Sequence, residues 1–96
     1  MDKLRNESTD LLFESILTLK SVDECYSFFE DICTIKEIQS IAQRVVVAKM
    51  LTEGSVYSDI VEATGASTAT ISRVNRSLNY GSDGYKIAFK RLEEHQ

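Results

Sequence analysis

Residues 55–80, SVYSDIVEATGASTATISRVNRSLNY, carry the pattern of two short helices joined by a tight turn. Gly65 falls where the first helix must end and the chain must reverse, because glycine adopts a left-handed backbone conformation at little cost. Ser67 or Thr68 can cap the second helix by accepting a hydrogen bond from its first N–H groups. The stretch therefore predicts a helix-turn-helix over about residues 56–79.

Apolar residues at helical spacing indicate how the two helices of this unit pack. Ile60 and Val61 are expected to form the inward face of the first helix. Ile71 and Val74 lie three residues apart and therefore share one face of the second helix. Every position that must be buried in a helix-turn-helix thus has a suitable residue type.

The outward face of the second helix has the chemistry that DNA recognition needs. Arg73 and Arg76 are its charged residues, and no acid occurs between Ser67 and Gly81. Hydroxyl and arginine side chains contact phosphates or base edges when a helix lies in the major groove. A solvated polar helix is an ordinary alternative, so this pattern alone leaves both interpretations open.

Composition indicates what kind of domain contains this helix-turn-helix. The chain has 96 residues, no proline and only four glycines, and 43% of its residues are hydrophobic. We expect a single all-α domain over residues 1–96. No apolar run approaches the roughly 18 residues of a membrane span, and no secretion signal is recognisable. We expect a cytoplasmic protein with no membrane partner.

Charge is unevenly distributed along the chain. The net charge is −4, although many DNA-binding domains are basic. Residues 1–67 hold six Lys or Arg against twelve Asp or Glu, whereas residues 68–96 hold five against three. The acid therefore lies mainly outside the candidate DNA-contacting helix. We expect modest non-specific affinity, since phosphate neutralisation supplies most of that free energy.

The residues of catalysis and metal binding are scarce. The only cysteines are Cys25 and Cys33, and His95 is the only histidine. These residues form no ligand cluster for a metal, and a cytosolic setting argues against a disulfide. No catalytic triad or glycine-rich phosphate loop can be assembled. We expect no metal, no cofactor and no enzymatic activity.

Capping patterns predict the helices that precede the helix-turn-helix. A first helix is expected over about residues 6–20. Ser21-Val22-Asp23-Glu24 has the spacing of a capping box and opens a second helix. Thr34-Ile35-Lys36-Glu37 repeats that spacing and opens a third helix that runs to Gly54.

A last helix is expected after Ser82 or Asp83, either of which can cap it. Several of the six predicted helices are too apolar to be surface helices of a small monomer. We therefore expect a homodimer, with dimerisation helices over about residues 6–53 and 83–94.

The order of these helices and three short segments resemble the tryptophan repressor. The segments are Thr34–Glu37 leading into Ala42-Gln43-Arg44-Val45, then Ala69-Thr70-Ile71-Ser72-Arg73, and Ser77-Leu78. The resemblance covers about residues 10–95 and is closer to the small Trp-repressor-related proteins of the YerC/YecD type. It implies a six-helix fold in an intertwined homodimer, whose two DNA-contacting helices enter successive major grooves roughly 34 Å apart.

The resemblance also implies where a ligand would lie. Arg44 and Arg73 match the two arginines that hold the indole ring in the tryptophan repressor, and Thr34 and Ser77 match polar residues of that pocket. Val74 departs from the tryptophan repressor, which has a glycine there that leaves room beside the ligand. We therefore do not expect tryptophan as a corepressor, and a different small-molecule effector stays open.

The leading hypothesis is a homodimeric, sequence-specific transcriptional repressor that binds double-stranded DNA. Candidate groove or base-edge residues are Ser67, Thr68, Ala69, Ser72 and Arg73. Candidate backbone contacts are Tyr57, Ser58, Thr70 and Arg76. Two alternatives stay open: a helical dimerisation or adaptor module that does not bind DNA, and a regulator that responds to a ligand other than tryptophan.

Overall fold

A computed structural model describes residues 3–95 of the chain. The described residues form helices and connecting turns, with no strand. The helices are α1 (Glu7–Leu17), α2 (Val22–Ile32), α3 (Ile35–Thr52), α4 (Tyr57–Thr64), α5 (Thr68–Tyr80) and α6 (Gly84–Glu94). The all-α, six-helix prediction is confirmed. The chain divides into two compact units, which meet in sequence between Ile35 and Lys36.

The first unit contains α1 and α2, which begin at side-chain caps. Asn6 Oδ1 accepts a hydrogen bond from the Thr9 N–H at 2.8 Å, and Ser21 Oγ accepts one from the Glu24 N–H at 3.1 Å. Glu24 also accepts a hydrogen bond from the Lys20 N–H at 2.9 Å. The Ser21–Glu24 capping pattern therefore starts α2 as expected.

Helix α1 ends earlier than the expected residue 20. Its last residue is Leu17, and Thr18 is the C-cap. The Thr18 hydroxyl donates to the Ser15 carbonyl at 2.6 Å, which offers the backbone a partner outside the helical ladder. No residue of α1 or α2 is buried.

The second unit begins with the long helix α3, which stops at a glycine turn. Gly54 has φ +84°, in the left-handed region. The Gly54 N–H donates to the Leu51 carbonyl at 3.1 Å, and the Ser55 N–H donates to the Met50 carbonyl at 3.0 Å. These two bonds satisfy the free carbonyls at the end of a helix. The chain then turns into α4.

A compact hydrophobic core joins α3, α4 and α5. Its side chains are all at most 8% exposed: Val47, Ala48, Ile60, Ala66, Ile71, Val74 and Leu78. Met50, Leu51, Tyr85 and Phe89 pack against this core, and they extend it along α3 and onto α6. The two helices of the helix-turn-helix are therefore fixed on α3 by direct apolar contact.

One predicted core residue is wrong. Val61 is 38% exposed, whereas its neighbour Ile60 is fully buried. Successive helical residues point about 100° apart, so with Ile60 at the centre of the buried face Val61 lies at its edge. Ala66 in the turn is buried instead.

The turn between α4 and α5 is held by glycine geometry and by one threonine. Gly65 has φ +71°, and its N–H donates to the Val61 carbonyl at 2.8 Å. The Thr64 hydroxyl accepts from the Ala66 N–H at 3.1 Å, and Gln43 Nε2 of α3 donates to the Thr64 carbonyl at 3.1 Å. The turn is thus tied to α3 by a polar contact as well as by the core.

The connection from α5 to α6 needs glycine at position 81. The Gly81 N–H donates to the Ser77 carbonyl at 2.9 Å, and a Cβ at this position would clash with the same carbonyl oxygen. Asp83 is the N-cap of α6, but its φ is +64° and its side chain caps no N–H. The Asp83 carboxylate instead lies 3.6 Å from the Lys86 ammonium.

The cysteines and the other residues that could bind a metal form no disulfide and no metal-ligand cluster within residues 3–95. Cys25 and Cys33 are free thiols and are half-buried. No group of three or more His, Cys, Asp or Glu side chains there could hold a metal ion. No helix in this part of the chain is long and apolar enough to cross a membrane.

Candidate nucleic-acid interface

Helix α5 has one buried face and one fully solvated face. Ile71, Val74 and Leu78 are the buried residues of this helix. Since a helix turns about 100° per residue, the direction opposite this core face passes within roughly 30° of Ala69, Arg76 and Tyr80. Ser72 and Arg73 flank that direction at roughly 50° on either side. We call the surface formed by Ala69, Ser72, Arg73, Arg76 and Tyr80 the outward face of α5.

The outward face is available for contact with a partner. All five of its residues are exposed. Neither Arg73 nor Arg76 forms an ion pair or hydrogen bond with another described residue. The first turn of α5 contains no acid, and the N-terminal end of a helix is the positive end of its dipole. The face therefore presents positive charge without an internal counter-ion.

The five predicted groove residues lie at or near this face. Thr68, Ala69, Ser72 and Arg73 are exposed on the first two turns of α5. Ser67 is exposed as well, but its hydroxyl is already used. It accepts from the Thr70 N–H at 3.1 Å and lies 3.1 Å from the Thr70 hydroxyl. Ser67 is therefore foremost the N-cap of α5.

The four residues predicted to contact the DNA backbone do not all lie on one surface. Arg76 is on the outward face, and Tyr57 and Ser58 are exposed on the first turn of α4. Thr70 is half-buried, and its hydroxyl is bonded to Ser67. It points roughly 100° away from the centre of the outward face. The structure thus does not bring Thr70 to the same surface as the arginines.

Helix α4 contributes little positive charge to this surface. Asp59 and Glu62 are its charged residues, and both are exposed. Its N-cap is Val56, whose apolar side chain cannot accept a hydrogen bond from a backbone N–H. Any attraction of this unit to an anion must therefore come mainly from α5.

Two of the four residues assigned to a possible ligand pocket line different clefts of the second unit. Arg44 lines an open cleft of about 360 Å³ together with Lys36 and Ser40, and Arg44 Nη2 lies 3.4 Å from Ser40 Oγ. Ser77 lines a separate open cleft of about 450 Å³, next to Val45 and Phe89. Arg73 lines neither of these two clefts.

Val74 occupies the position where the resemblance would require space for a ligand. Its side chain is only 2% exposed and belongs to the core between α3 and α5. Packing in this core fixes α5 against α3. Tyr80 is the outward-face residue that sequence reasoning missed. Its position one turn beyond Arg76 was the available signal.

Comparisons with known proteins agree with this fold over nearly the whole chain. Residues 7–93 match the family model of the Trp repressor protein. The uncharacterized protein YerC of Bacillus subtilis is 61% identical over 94 residues, which are 98% of this chain and 90% of YerC. A TrpR-like protein from Eubacterium eligens, solved by crystallography, has a TM-score of 0.94 and 61% identity, covering 97% of this chain and 96% of that one. A crystal structure of a putative Trp repressor from Staphylococcus aureus gives a TM-score of 0.92 and 52% identity, with 96% and 92% covered.

The capping role of Ser67 gives a stability prediction. Ser67→Ala should lower the free energy of unfolding by about 1 kcal/mol, because the Thr70 N–H loses its acceptor. Ser67→Asp should stay within a few tenths of a kcal/mol of the parent, since aspartate caps as well as serine and its charge suits the helix dipole. Urea unfolding followed by circular dichroism measures both.

Ser72→Ala is the matched control, because Ser72 is an exposed hydroxyl of the same helix with no hydrogen bond to a described residue. Its effect should stay within about 0.5 kcal/mol. Equal stability of Ser67→Ala and the parent would contradict the capping role. Equal losses in the Ala and Asp variants would do so too.

Proposed function

The chain belongs to the Trp repressor protein family, and we propose that it is a sequence-specific DNA-binding repressor of transcription. Proteins of this family are transcription regulators and not enzymes. The repressor role accords with the Staphylococcus aureus structure, whose protein is named a putative Trp repressor. In this proposal α5 lies in the major groove and α4 crosses the DNA backbone, as in other helix-turn-helix proteins.

The outward face of α5 is the observation that carries this proposal. It joins exposed small residues on the first turns to two arginines that have no internal partner. Small residues allow the backbone to approach base edges, and Arg73 has the bidentate geometry that suits guanine O6 and N7. Arg76 lies one turn further and suits a phosphate. Because the opposite side of α5 is buried in the core, this is the face that remains for a partner.

The arginines of α5 also determine how strongly we expect DNA binding to depend on salt. Two arginines per α5 give about four phosphate or base contacts in a dimer. Such a complex should show a slope of about −2 in log K against log salt concentration, because Arg76 of each copy neutralises about one phosphate. Asp59 and Glu62 on α4 oppose close approach of phosphates. Specificity must therefore depend on base contacts more than on non-specific attraction.

Homodimerisation is part of the proposal, because the apolar surface of one chain is large. Leu17 is 84% exposed, Ile35 is 74% exposed and Val22 is 72% exposed. With no buried residue in α1 or α2, the first unit lacks an apolar core that would stabilise it in water. A second copy that covers these side chains removes the apolar area from water at roughly 25 cal/mol per Å².

No tryptophan is required in this mechanism. Val74 fills the position between α3 and α5 with its own side chain, which favours an α5 that is positioned by packing. We propose that the protein binds its operator without a corepressor. Regulation then comes from the amount of protein or from an effector that binds elsewhere.

Replacement of the first arginine tests the DNA-binding proposal. Arg73→Ala should weaken binding of a fluorescent 30-base-pair duplex about 10- to 100-fold, since a good arginine contact is worth about 1 to 3 kcal/mol. The salt slope should stay close to that of the parent, because the lost contact is to a base and counterions are released from phosphates. Fluorescence anisotropy at several salt concentrations measures both quantities.

Arg91→Ala is the control, because Arg91 is an exposed arginine in the last turn of α6. Its affinity and salt slope should equal those of the parent. Equal affinities for Arg73→Ala and the parent would contradict α5 as the DNA-contacting helix. Failure of the parent itself to bind duplex at 50 mM salt would favour the adaptor function instead.

A charge in the apolar surface of α1 tests the homodimer. Leu17→Lys should convert the dimer to monomer or unfolded chain at micromolar concentration, because burial of a leucine in each copy contributes about 1.5 to 3 kcal/mol. Sedimentation velocity and the concentration dependence of the melting temperature measure this effect. Glu14→Lys, at an exposed polar position of the same helix, should stay dimeric. A parent that sediments as a monomer at 100 µM, with a concentration-independent melting temperature, would contradict the proposal.

A further inference from the structure

Tyr80 is an unusually exposed aromatic residue for a soluble protein. Its side chain is 86% exposed, more than any other large hydrophobic side chain of the described residues. The aromatic contacts of the structure join other rings, Phe28 with Phe29 and Tyr85 with Phe89, so Tyr80 packs against none of them. It also forms no hydrogen bond with a described residue. A ring and hydroxyl in this state contribute little to the fold, which leaves them free for a partner.

The position of Tyr80 on α5 relates it to the two arginines. Arg73, Arg76 and Tyr80 are spaced i, i+3 and i+7, which places them along one side of a helix. Tyr80 points within roughly 30° of the direction opposite the core. The hydroxyl therefore extends on the same side of α5 as both guanidinium groups.

Distances along the helix separate the roles of the three residues. With a rise of 1.5 Å per residue, Arg73 lies about 8 Å beyond Thr68, Arg76 about 12 Å and Tyr80 about 18 Å. The major groove is only about 12 Å wide, and the N-terminal residues of the helix contact its bases. The last turn of α5 therefore extends past the groove, over the phosphates that border it.

The charges near Tyr80 are compatible with a phosphate. Arg76 lies one turn before it, and the nearest acid in sequence, Asp83, is paired with Lys86 at 3.6 Å. A phenol hydroxyl donates one hydrogen bond, and tyrosine side chains are among those that contact phosphate oxygens in protein–DNA complexes.

We infer that Tyr80 is a further DNA-backbone contact, in which its hydroxyl donates a hydrogen bond to a phosphate at the edge of the major groove contacted by α5. This inference rests on the proposed DNA-binding function. It adds a neutral contact to the two charged ones on α5. It therefore fixes the position of α5 on the duplex without increasing the salt dependence of binding.

Two substitutions of Tyr80 test the contact, one by removing the hydroxyl and the other by adding a positive charge. Tyr80→Phe removes only the hydroxyl, so it should weaken binding of a mixed-sequence 30-base-pair duplex about tenfold per dimer with an unchanged salt slope. Tyr80→Lys puts a cation beside the same phosphate, so its salt slope should become steeper by about 2 per dimer. Fluorescence anisotropy from 50 to 200 mM salt measures both, and Arg73→Ala is titrated in parallel.

Tyr26 provides the matched control, because it is a 62% exposed tyrosine on α2, outside the helix-turn-helix. Tyr26→Phe, and Glu14→Lys at the exposed polar position of α1, should leave affinity and slope as in the parent. Circular dichroism and sedimentation velocity should show parent-like helix content and mass for Tyr80→Phe.

The outcomes separate this inference from the proposed function. Weaker binding of Arg73→Ala, with parent-like affinity for Tyr80→Phe and parent-like slope for Tyr80→Lys, would overturn the Tyr80 contact and leave the DNA-binding function intact. Loss of the dimer in Tyr80→Phe would overturn it in favour of a protein interface. If the parent binds no duplex at 50 mM salt, both proposals are wrong.

Discussion

The apolar contact between α3 and the helix-turn-helix determines how the second unit presents its surface. Val47 and Ala48 of α3, Ile60 of α4, and Ile71 and Val74 of α5 exclude water from one another almost completely. Because these side chains orient α5, its outward face is set by packing. A buried methylene is worth about 0.8 kcal/mol, so any rotation of α5 that exposed Val74 or Ile71 would be costly. The arginines and small residues of α5 are therefore held in one arrangement.

This packing also shapes the proposed regulation. A helix-turn-helix whose position depends on a bound ligand needs a gap that the ligand fills. Here Val74 fills that position, and Arg44 and Ser77 line separate open clefts. In the proposed function, the protein therefore spends no binding free energy on ordering α5. In the account proposed above, its DNA-binding surface is ready as soon as the chain is folded and paired.

Local signals made part of this structure predictable from sequence. Gly65 and Ser67 have geometric and hydrogen-bonding roles that few other residue types fulfil, and both lie where expected. Ile71 and Val74 are spaced along one helical face and are buried. Val61 was misplaced because adjacent apolar residues on a short helix do not reveal which of them points inward. Thr70 was assigned to the DNA surface because a hydroxyl does not show whether water, a partner or a neighbouring serine will satisfy it. The spacing of Tyr80 one turn beyond Arg76 pointed to the outward face, but a tyrosine near a helix end is equally typical of a core, so the direction of α5 was needed to decide between them.

The central claim is that two copies of this chain read DNA through the outward faces of two α5 helices. Selection of bound duplexes from a random-sequence pool at 100 mM salt tests it most directly, because the sequences report recognition and symmetry together. We expect enrichment of a palindromic motif, with half-site centres about one helical turn, or roughly 34 Å, apart, and with guanine in each half-site for Arg73. Enrichment of no motif, or of a single half-site without a symmetry mate, would contradict it.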